Sequence, residues 1–107
     1  MASQRVTVVA RIKAKKGLEK KVKEGLLSLV GPTRLEKGCI NYDLHQSPDD
    51  PGLFMFYENW KDMKCLDKHL EMPYIKAFMD GMKKALARPV QVTLWVMVSP
   101  GSNKTRK

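Results

Sequence analysis

The chain has 107 residues, a net charge of +9 at pH 7 and 43% hydrophobic residues, which together indicate one globular domain. It has no apolar run of the length that crosses a bilayer, so no membrane span is expected. Its positive charges are scattered, without interleaved aromatic residues or a nucleic-acid motif, and this pattern favours a solvated basic surface over a nucleic-acid partner.

The N-terminus and the cysteines bear on the compartment. The first residues lead directly into a strand pattern and lack the apolar core of a signal peptide. Two cysteines, Cys39 and Cys65, do not make a disulfide framework. We therefore expect a cytoplasmic protein with reduced thiols.

The first half of the chain predicts a strand, a helix and a second strand. Residues 6–14 alternate, which places five side chains on one apolar face: Val6, Val8, Ala10, Ile12 and Ala14. Gly17 ends this strand, and a helical stripe follows: Leu18, Val22, Leu26, Leu29 and Thr33. Gly31-Pro32 is expected to kink or restart the helix, and Gly38 to stop it.

The second strand is predicted over Cys39–Gln46. The alternation places Ile40, Tyr42 and Leu44 on one face, and the opposite face carries Cys39, Asn41, Asp43 and His45. A loop of turn residues spans 47–52, and the next strand runs from Leu53 to about Trp60. Two strands joined in this way predict an antiparallel hairpin.

The last part of the chain predicts two short helices and a final strand. Asp62 is a candidate N-cap for the first helix, whose stripe is Met63, Leu66 and Leu70. Pro73 begins the second helix and Pro89 ends it, with an apolar face of Ile75, Phe78, Met79, Met82 and Leu86. The final strand places Val90, Val92, Leu94, Val96 and Val98 on one face, and Gln91, Thr93, Trp95, Met97 and Ser99 on the other.

The order β-α-β-β-α-α-β predicts an α+β, ferredoxin-like sandwich with an antiparallel sheet. Right-handed crossovers place both helical segments on one face of the sheet. We expect a single domain over residues 1–99 and a basic, disordered tail over 100–107.

The face of the sheet without helices carries large side chains, namely Val9, Met55, Tyr57, Trp95 and Met97. Burying one large apolar side chain contributes roughly 1.5–3 kcal/mol, and an exposed patch of this size usually marks a partner site. We therefore predict a homodimer through this face. The alternative is a monomer with a partly solvated sheet.

One carboxylate breaks the pattern of the third strand. Phe54, Phe56, Glu58 and Trp60 share the helix-covered face, where an unpaired carboxylate would be costly. Glu58 therefore needs a pocket, water or a partner. Tyr42 has the matching parity on the neighbouring strand, and His69 lies at the edge of the buried stripe of the next helix. Four polar-tipped residues at one end of the sandwich predict a small-molecule pocket.

Each of these residues also has a purely structural interpretation. Glu58 could lie in water at the strand end or pair with a lysine, Trp60 could be core, and His69 could be a satisfied boundary residue. A metal site is disfavoured, because Cys65 and His69 form only an i, i+4 pair. No glycine-rich phosphate loop or serine nucleophile motif is present.

The chain resembles the antibiotic biosynthesis monooxygenase domain family, which includes small bacterial quinol monooxygenases. The resemblance spans residues 6–98 and rests on three segments: the opening Val-Val-Ala-Arg-Ile-Lys-Ala-Lys-Lys-Gly17, the stretch Glu36–Tyr42, and Glu58-Asn-Trp60 followed by His69 and Pro73-Tyr74. It implies a dimeric α+β barrel with a pocket between sheet and helices in each subunit. Haem-degrading relatives carry an Asn on the first strand where this chain has Ala10, so haem degradation is not expected.

The resemblance implies oxygenation of a small aromatic quinol or phenol by dioxygen, without a cofactor or metal. His69 is the candidate base, with Glu58 orienting the imidazole or acting as the base itself. Tyr42 and the Trp60 indole N–H are candidate oxyanion donors. The candidate substrate-binding residues are Phe54, Phe56, Tyr74 and Phe78. Two alternatives stay open: a non-redox isomerase of a small carbonyl compound, and a non-catalytic binding or stress-response barrel.

Overall fold

The computed structural model describes residues 4–100. The elements follow the predicted order: β1 (Val6–Lys13), α1 (Glu19–Arg34), β2 (Cys39–Gln46), β3 (Leu53–Trp60), α2 (Met63–Leu70), α3 (Pro73–Met82), a single 3-10 turn (Lys83–Ala85) and β4 (Gln91–Trp95). The predicted α+β fold is confirmed. The predicted tail lies outside the described residues except for Pro100, and the domain boundary at residue 99 stays a prediction.

The four strands form one antiparallel sheet in the order β2-β3-β1-β4. The apolar face of β1 is buried as its alternation predicts, and α1 packs its stripe of Val22, Leu26, Leu29 and Thr33 into the same core. In the part of the chain that the structure describes, no helix is both long and apolar enough to cross a membrane.

Helix α1 ends differently from the prediction. It runs through Gly31 and Pro32 to Arg34, with Leu35 as its C-cap. Pro32 removes one intrahelical N–H donor, and the helix continues for only two residues beyond it. Gly38 does not stop the helix. It adopts a positive φ of 88° in the turn that leads into β2.

A β-bulge changes the face assignment at the start of β2. Cys39 pairs with Trp60 and Asn41 pairs with Asn59, so Ile40 is the extra residue. One inserted residue reverses the sidedness on one side of the bulge. The prediction for this pair was therefore wrong: Cys39 packs against the core and Ile40 is 48% exposed. Tyr42 keeps its predicted, buried position.

The second short helix and the last strand are shorter than predicted, and the first short helix differs in which residues it buries. In α2 the buried residues are Leu66 and His69, whereas Met63 and Leu70 are exposed. α3 ends at Met82 rather than at Pro89, because the chain must already turn towards the sheet. Leu86 forms a bridge with Ala14. β4 ends at Trp95, since Trp95 pairs with Thr7 and β1 begins only one residue earlier.

Candidate active site

A cavity of about 630 Å³ lies between the sheet and the helices. Its walls are mostly apolar and come from all four strands and from α1, α2 and α3. Three polar side chains from the body of the protein line it, namely Tyr42, Glu58 and His69, and all three are buried. Lys76 and Asp80 also line it, from exposed positions on α3. The cavity thus joins an apolar chamber to a small group of buried titratable side chains, which is the usual composition of a small-molecule site.

The structure brings most of the predicted site residues together. Phe56 and Phe78 line the cavity with the three polar residues. Phe54 is 1% exposed and lies in the core instead. Trp60 and Tyr74 do not line the cavity either. Trp60 donates a hydrogen bond to Glu58, and Tyr74 donates one to Glu36.

Glu58 is held by Trp60. The Trp60 indole N–H donates to Glu58 Oε1 at 2.9 Å in a buried hydrogen bond. Burial raises the pKa of Glu58 to about 7; the Trp60 hydrogen bond opposes this shift, and the nearby Glu36 charge adds to it. Glu58 can therefore take up or release a proton near neutral pH. The same bond occupies the Trp60 indole N–H, so this group is not free to donate to a substrate oxyanion as the resemblance implies.

His69 is packed between aromatic rings and bonded to a different carboxylate. Its ring centroid lies 4.7 Å from that of Trp60 and 5.5 Å from that of Tyr42. His69 Nδ1 lies 3.0 Å from Glu36 Oε2. The carboxylate bonded to the imidazole is thus Glu36 and not Glu58, as one of the two roles predicted for Glu58 required. His69 is also only 3% exposed, and does not lie at the edge of the core as its helical position suggested.

Glu36 is the site residue that sequence reasoning missed. It follows the C-cap of α1 in an irregular turn, and its side chain is 8% exposed. Periodicity predicts burial only in helices and strands, so it says nothing about a residue in this turn. The usable signal is the family resemblance, whose second segment begins at Glu36.

Tyr42 remains a hydrogen-bond donor in this setting. Its ring stacks on Phe56 with centroids 4.3 Å apart. Burial, and then the charge of Glu58, raise the pKa of the Tyr42 phenol above its usual value. A phenol that keeps its proton can donate to an oxyanion in the cavity.

Local structure explains where α2 places His69. The Asp62 side chain caps the helix by accepting from Cys65 N at 3.0 Å, as predicted.

Across residues 4–100 no three His, Cys, Asp or Glu side chains are grouped to hold a metal ion, even though the bulge moves Cys39 to the helix side.

Comparisons with known proteins agree with the fold. The family model described as antibiotic biosynthesis monooxygenase matches residues 5–81. "Putative monooxygenase Rv0793" of Mycobacterium tuberculosis is 33% identical over 89 residues, covering 83% of this chain and 87% of that protein. An uncharacterized Synechocystis protein, sll1783, is 27% identical over 94 residues. Those residues are 88% of this chain but only 64% of the relative, so the chain spans under two thirds of that protein's length.

Solved structures give the same result at the level of the backbone. The crystal structure of PA3566 from Pseudomonas aeruginosa superposes with a TM-score of 0.86 at 31% identity, covering 92% of this chain and 99% of that one. The structure of Rv0793 also has a TM-score of 0.86, at 29% identity, covering 92% of this chain and 100% of that one.

Proposed function

We propose, from the premise that this chain belongs to the antibiotic biosynthesis monooxygenase family, that it oxidises a small aromatic quinol or phenol with dioxygen and without a cofactor. A monooxygenase-like function is supported by the family and by the names of its relatives. The observation that carries the finer proposal is the placement of Glu58 and His69 on one apolar cavity.

The proposed reaction begins with proton removal. His69 takes a proton from a substrate hydroxyl, and the Tyr42 phenol donates to the resulting oxyanion. The electron-rich anion then reduces dioxygen. One oxygen atom enters the ring as a hydroxyl, the other leaves as water, and the quinol supplies the two further electrons as it becomes a hydroxyquinone. Atoms and electrons balance without a flavin, haem or metal.

The charges around the cavity favour a neutral substrate. Glu58 lines the cavity and Glu36 lies directly behind His69. Among residues 4–100, Lys76 is the one cationic side chain that lines it, and its salt bridge to Glu71 (Nζ to Oε1, 2.8 Å) draws it outward. A phosphorylated or carboxylated ligand would place its charge beside carboxylates in an apolar chamber. This supports an uncharged quinol over the anionic compounds that an isomerase of sugar-derived phosphates would take.

Oxygen-electrode measurements with menadiol test the proposal. Uptake should exceed the autoxidation blank, and His45→Ala should behave as the parent because His45 is exposed and does not line the cavity. The purified protein should show no flavin or haem absorbance. Turnover of a carbonyl substrate without oxygen uptake would instead favour the isomerase. Tight binding without turnover would favour the binding barrel.

A further inference from the structure

A chain of hydrogen bonds lies behind His69, on the side away from the cavity. Glu36 Oε2 contacts both His69 Nδ1, at 3.0 Å, and the Tyr74 hydroxyl. The Tyr74 hydroxyl in turn lies 3.2 Å from Thr33 Oγ1. The His69 and Glu36 side chains are only 4% and 8% exposed, so water does not compete strongly for these contacts.

The direction of each bond follows from the donors available. Burial, and then the hydrogen bond with Glu36, raise the pKa of Tyr74 to about 12, so the phenol keeps its proton. Tyr74 donates that proton to Glu36 Oε2, and Thr33 therefore donates to Tyr74. An oxygen that already accepts from Tyr74 accepts from His69 as well, which makes Nδ1 the protonated nitrogen. In the neutral imidazole, Nε2 is then left with a free lone pair.

That lone pair faces the cavity. His69 lines the cavity, and Nε2 makes no hydrogen bond to another described residue. Within residues 4–100, no fully buried side-chain nitrogen or oxygen lacks a partner. Nε2 must therefore be reachable from the chamber rather than sealed in the core. Glu36 does not line the cavity, so it can act only through His69.

Packing and backbone hydrogen bonds hold His69 and Glu36 in place. The His69 ring packs against Trp60, with centroids 4.7 Å apart. The turn that carries Glu36 is closed by two backbone bonds, from Glu36 N to Thr33 O at 3.0 Å and from Cys39 N to Glu36 O at 3.2 Å. Neither group needs to reorganise to make the bond.

We infer that Glu36 is a positioning residue that fixes the tautomer of His69, with Nδ1 protonated and Nε2 presented to the substrate as the base. Tyr74 and Thr33 hold the Glu36 carboxylate in place. The catalytic meaning of this contact rests on the proposed function, whereas the tautomer itself does not. In the serine protease triad, an amide in place of such an orienting acid leaves the wrong tautomer and costs about 10⁴-fold in rate.

Nitrogen NMR of protein labelled with ¹⁵N-histidine tests the tautomer directly. The chain has two histidines, and the exposed His45 provides an internal reference. In the neutral form, His69 of the parent should show a protonated Nδ1 and an unprotonated Nε2. Glu36→Ala should move the proton to Nε2, the tautomer that free histidine prefers. Glu36→Gln should retain the parent tautomer, because the Tyr74 hydroxyl donates to the same oxygen as His69 Nδ1 and so holds the amide oxygen, rather than its NH2, against the imidazole.

Kinetics on the same preparations test the consequence. Glu36→Ala should lower kcat by at least about tenfold with KM little changed, since the residue does not touch the substrate. Glu36→Gln should recover most of kcat. Asp67→Ala is the matched control, because Asp67 is an exposed carboxylate on the helix that carries His69 and does not line the cavity.

The outcomes separate this inference from the proposed function. A protonated Nε2 in the parent, or an unchanged tautomer in folded Glu36→Ala, would overturn the inference. Loss of the tautomer in folded Glu36→Gln would do the same. If Glu36→Ala does not fold, the parent and Glu36→Gln spectra still decide. The predicted tautomer changes with no oxygen uptake by the parent would support the positioning role and reject the quinol monooxygenase.

Discussion

Two buried titratable residues share the cavity but are held by separate partners. Glu58 is bonded to Trp60, and His69 is bonded to Glu36. Trp60 also packs on the His69 ring, so it supports both groups without lining the chamber. This separation means that each residue can be changed without removing the hydrogen-bond partner of the other.

The buried Glu58 should make stability depend on pH. Its pKa is about 7 in the folded protein against an ordinary value of 4.5, so folding favours the protonated form. The corresponding stability is present below about pH 4.5 and is lost as pH rises through 7. A shift of this size corresponds to roughly 3 kcal/mol. Glu58→Gln should remove this loss. The free energy of unfolding of the variant relative to that of the parent should therefore be higher at pH 8 than at pH 4.5.

Urea denaturation at pH 4.5 and pH 8 measures this difference. Glu24→Gln, on the exposed surface of α1, controls for the loss of one carboxyl group. If the free energies of unfolding of Glu58→Gln and of the parent change in parallel between the two pH values, ionising Glu58 in the folded protein costs nothing and the prediction is wrong.

His69→Ala should separate catalysis from stability. Removing a general base typically costs a factor of 10²–10⁴ in rate, whereas the stability cost should stay within about 0.5–3 kcal/mol. Because His69 is buried against Trp60, we expect the upper part of that stability range. Oxygen uptake per folded molecule and the melting temperature are measured on one preparation. Full specific activity in a well-folded variant would transfer the base role to Glu58.

At the scale of elements, the turn after α1 and the helix α2 are packed against each other. Gly38 O accepts from Lys61 N at 2.8 Å, just before α2 begins. A Cβ on Gly38 would lie 2.2 Å from Cys65 Sγ. The turn carries Glu36 and the helix carries His69, so this close approach helps set the distance between the two.

Two glycine substitutions separate backbone strain from this contact. Gly17 and Gly38 both have positive φ, 91° and 88°, but a Cβ on Gly17 would meet nothing within 4 Å. Gly17→Ala should cost the backbone strain alone, about 1–2 kcal/mol. Gly38→Ala should cost clearly more and also lower kcat, because α2 must shift. Equal melting temperatures for the two variants would show that the turn and helix are not tightly coupled.

At the scale of the whole molecule, the sheet has one covered face and one open face. The helices cover one side, and β4 is exposed along its full length. On the open face Trp95 is 58% exposed and Tyr57 is 42% exposed, with Met97 at 49% just beyond the strand. This agrees with the side-chain assignment that led us to propose a homodimer through the open face, with Trp95 and Met97 central.

Trp95→Asp should weaken that dimer. Placing a carboxylate in an apolar contact is costly, so the variant should sediment as a monomer or aggregate where the parent is dimeric at micromolar concentration. Leu27→Asp is the matched control, since Leu27 is an apolar residue on α1 with a similar exposure of 51%. A parent that sediments as a stable monomer would reject the dimer.

Local patterns in the sequence determined the order of elements, the inward faces of β1 and β3, the Asp62 cap and the anomaly at Glu58. Each of these follows from a residue's own type and its spacing along one element. The tertiary structure alone decided which partner each polar group took. The bulge at Ile40, the end of β4 and the burial of Glu36 depend on strand register and on packing between segments distant in the chain. No short-range periodicity encodes those contacts, because they exist only once the sheet and helices have closed on each other.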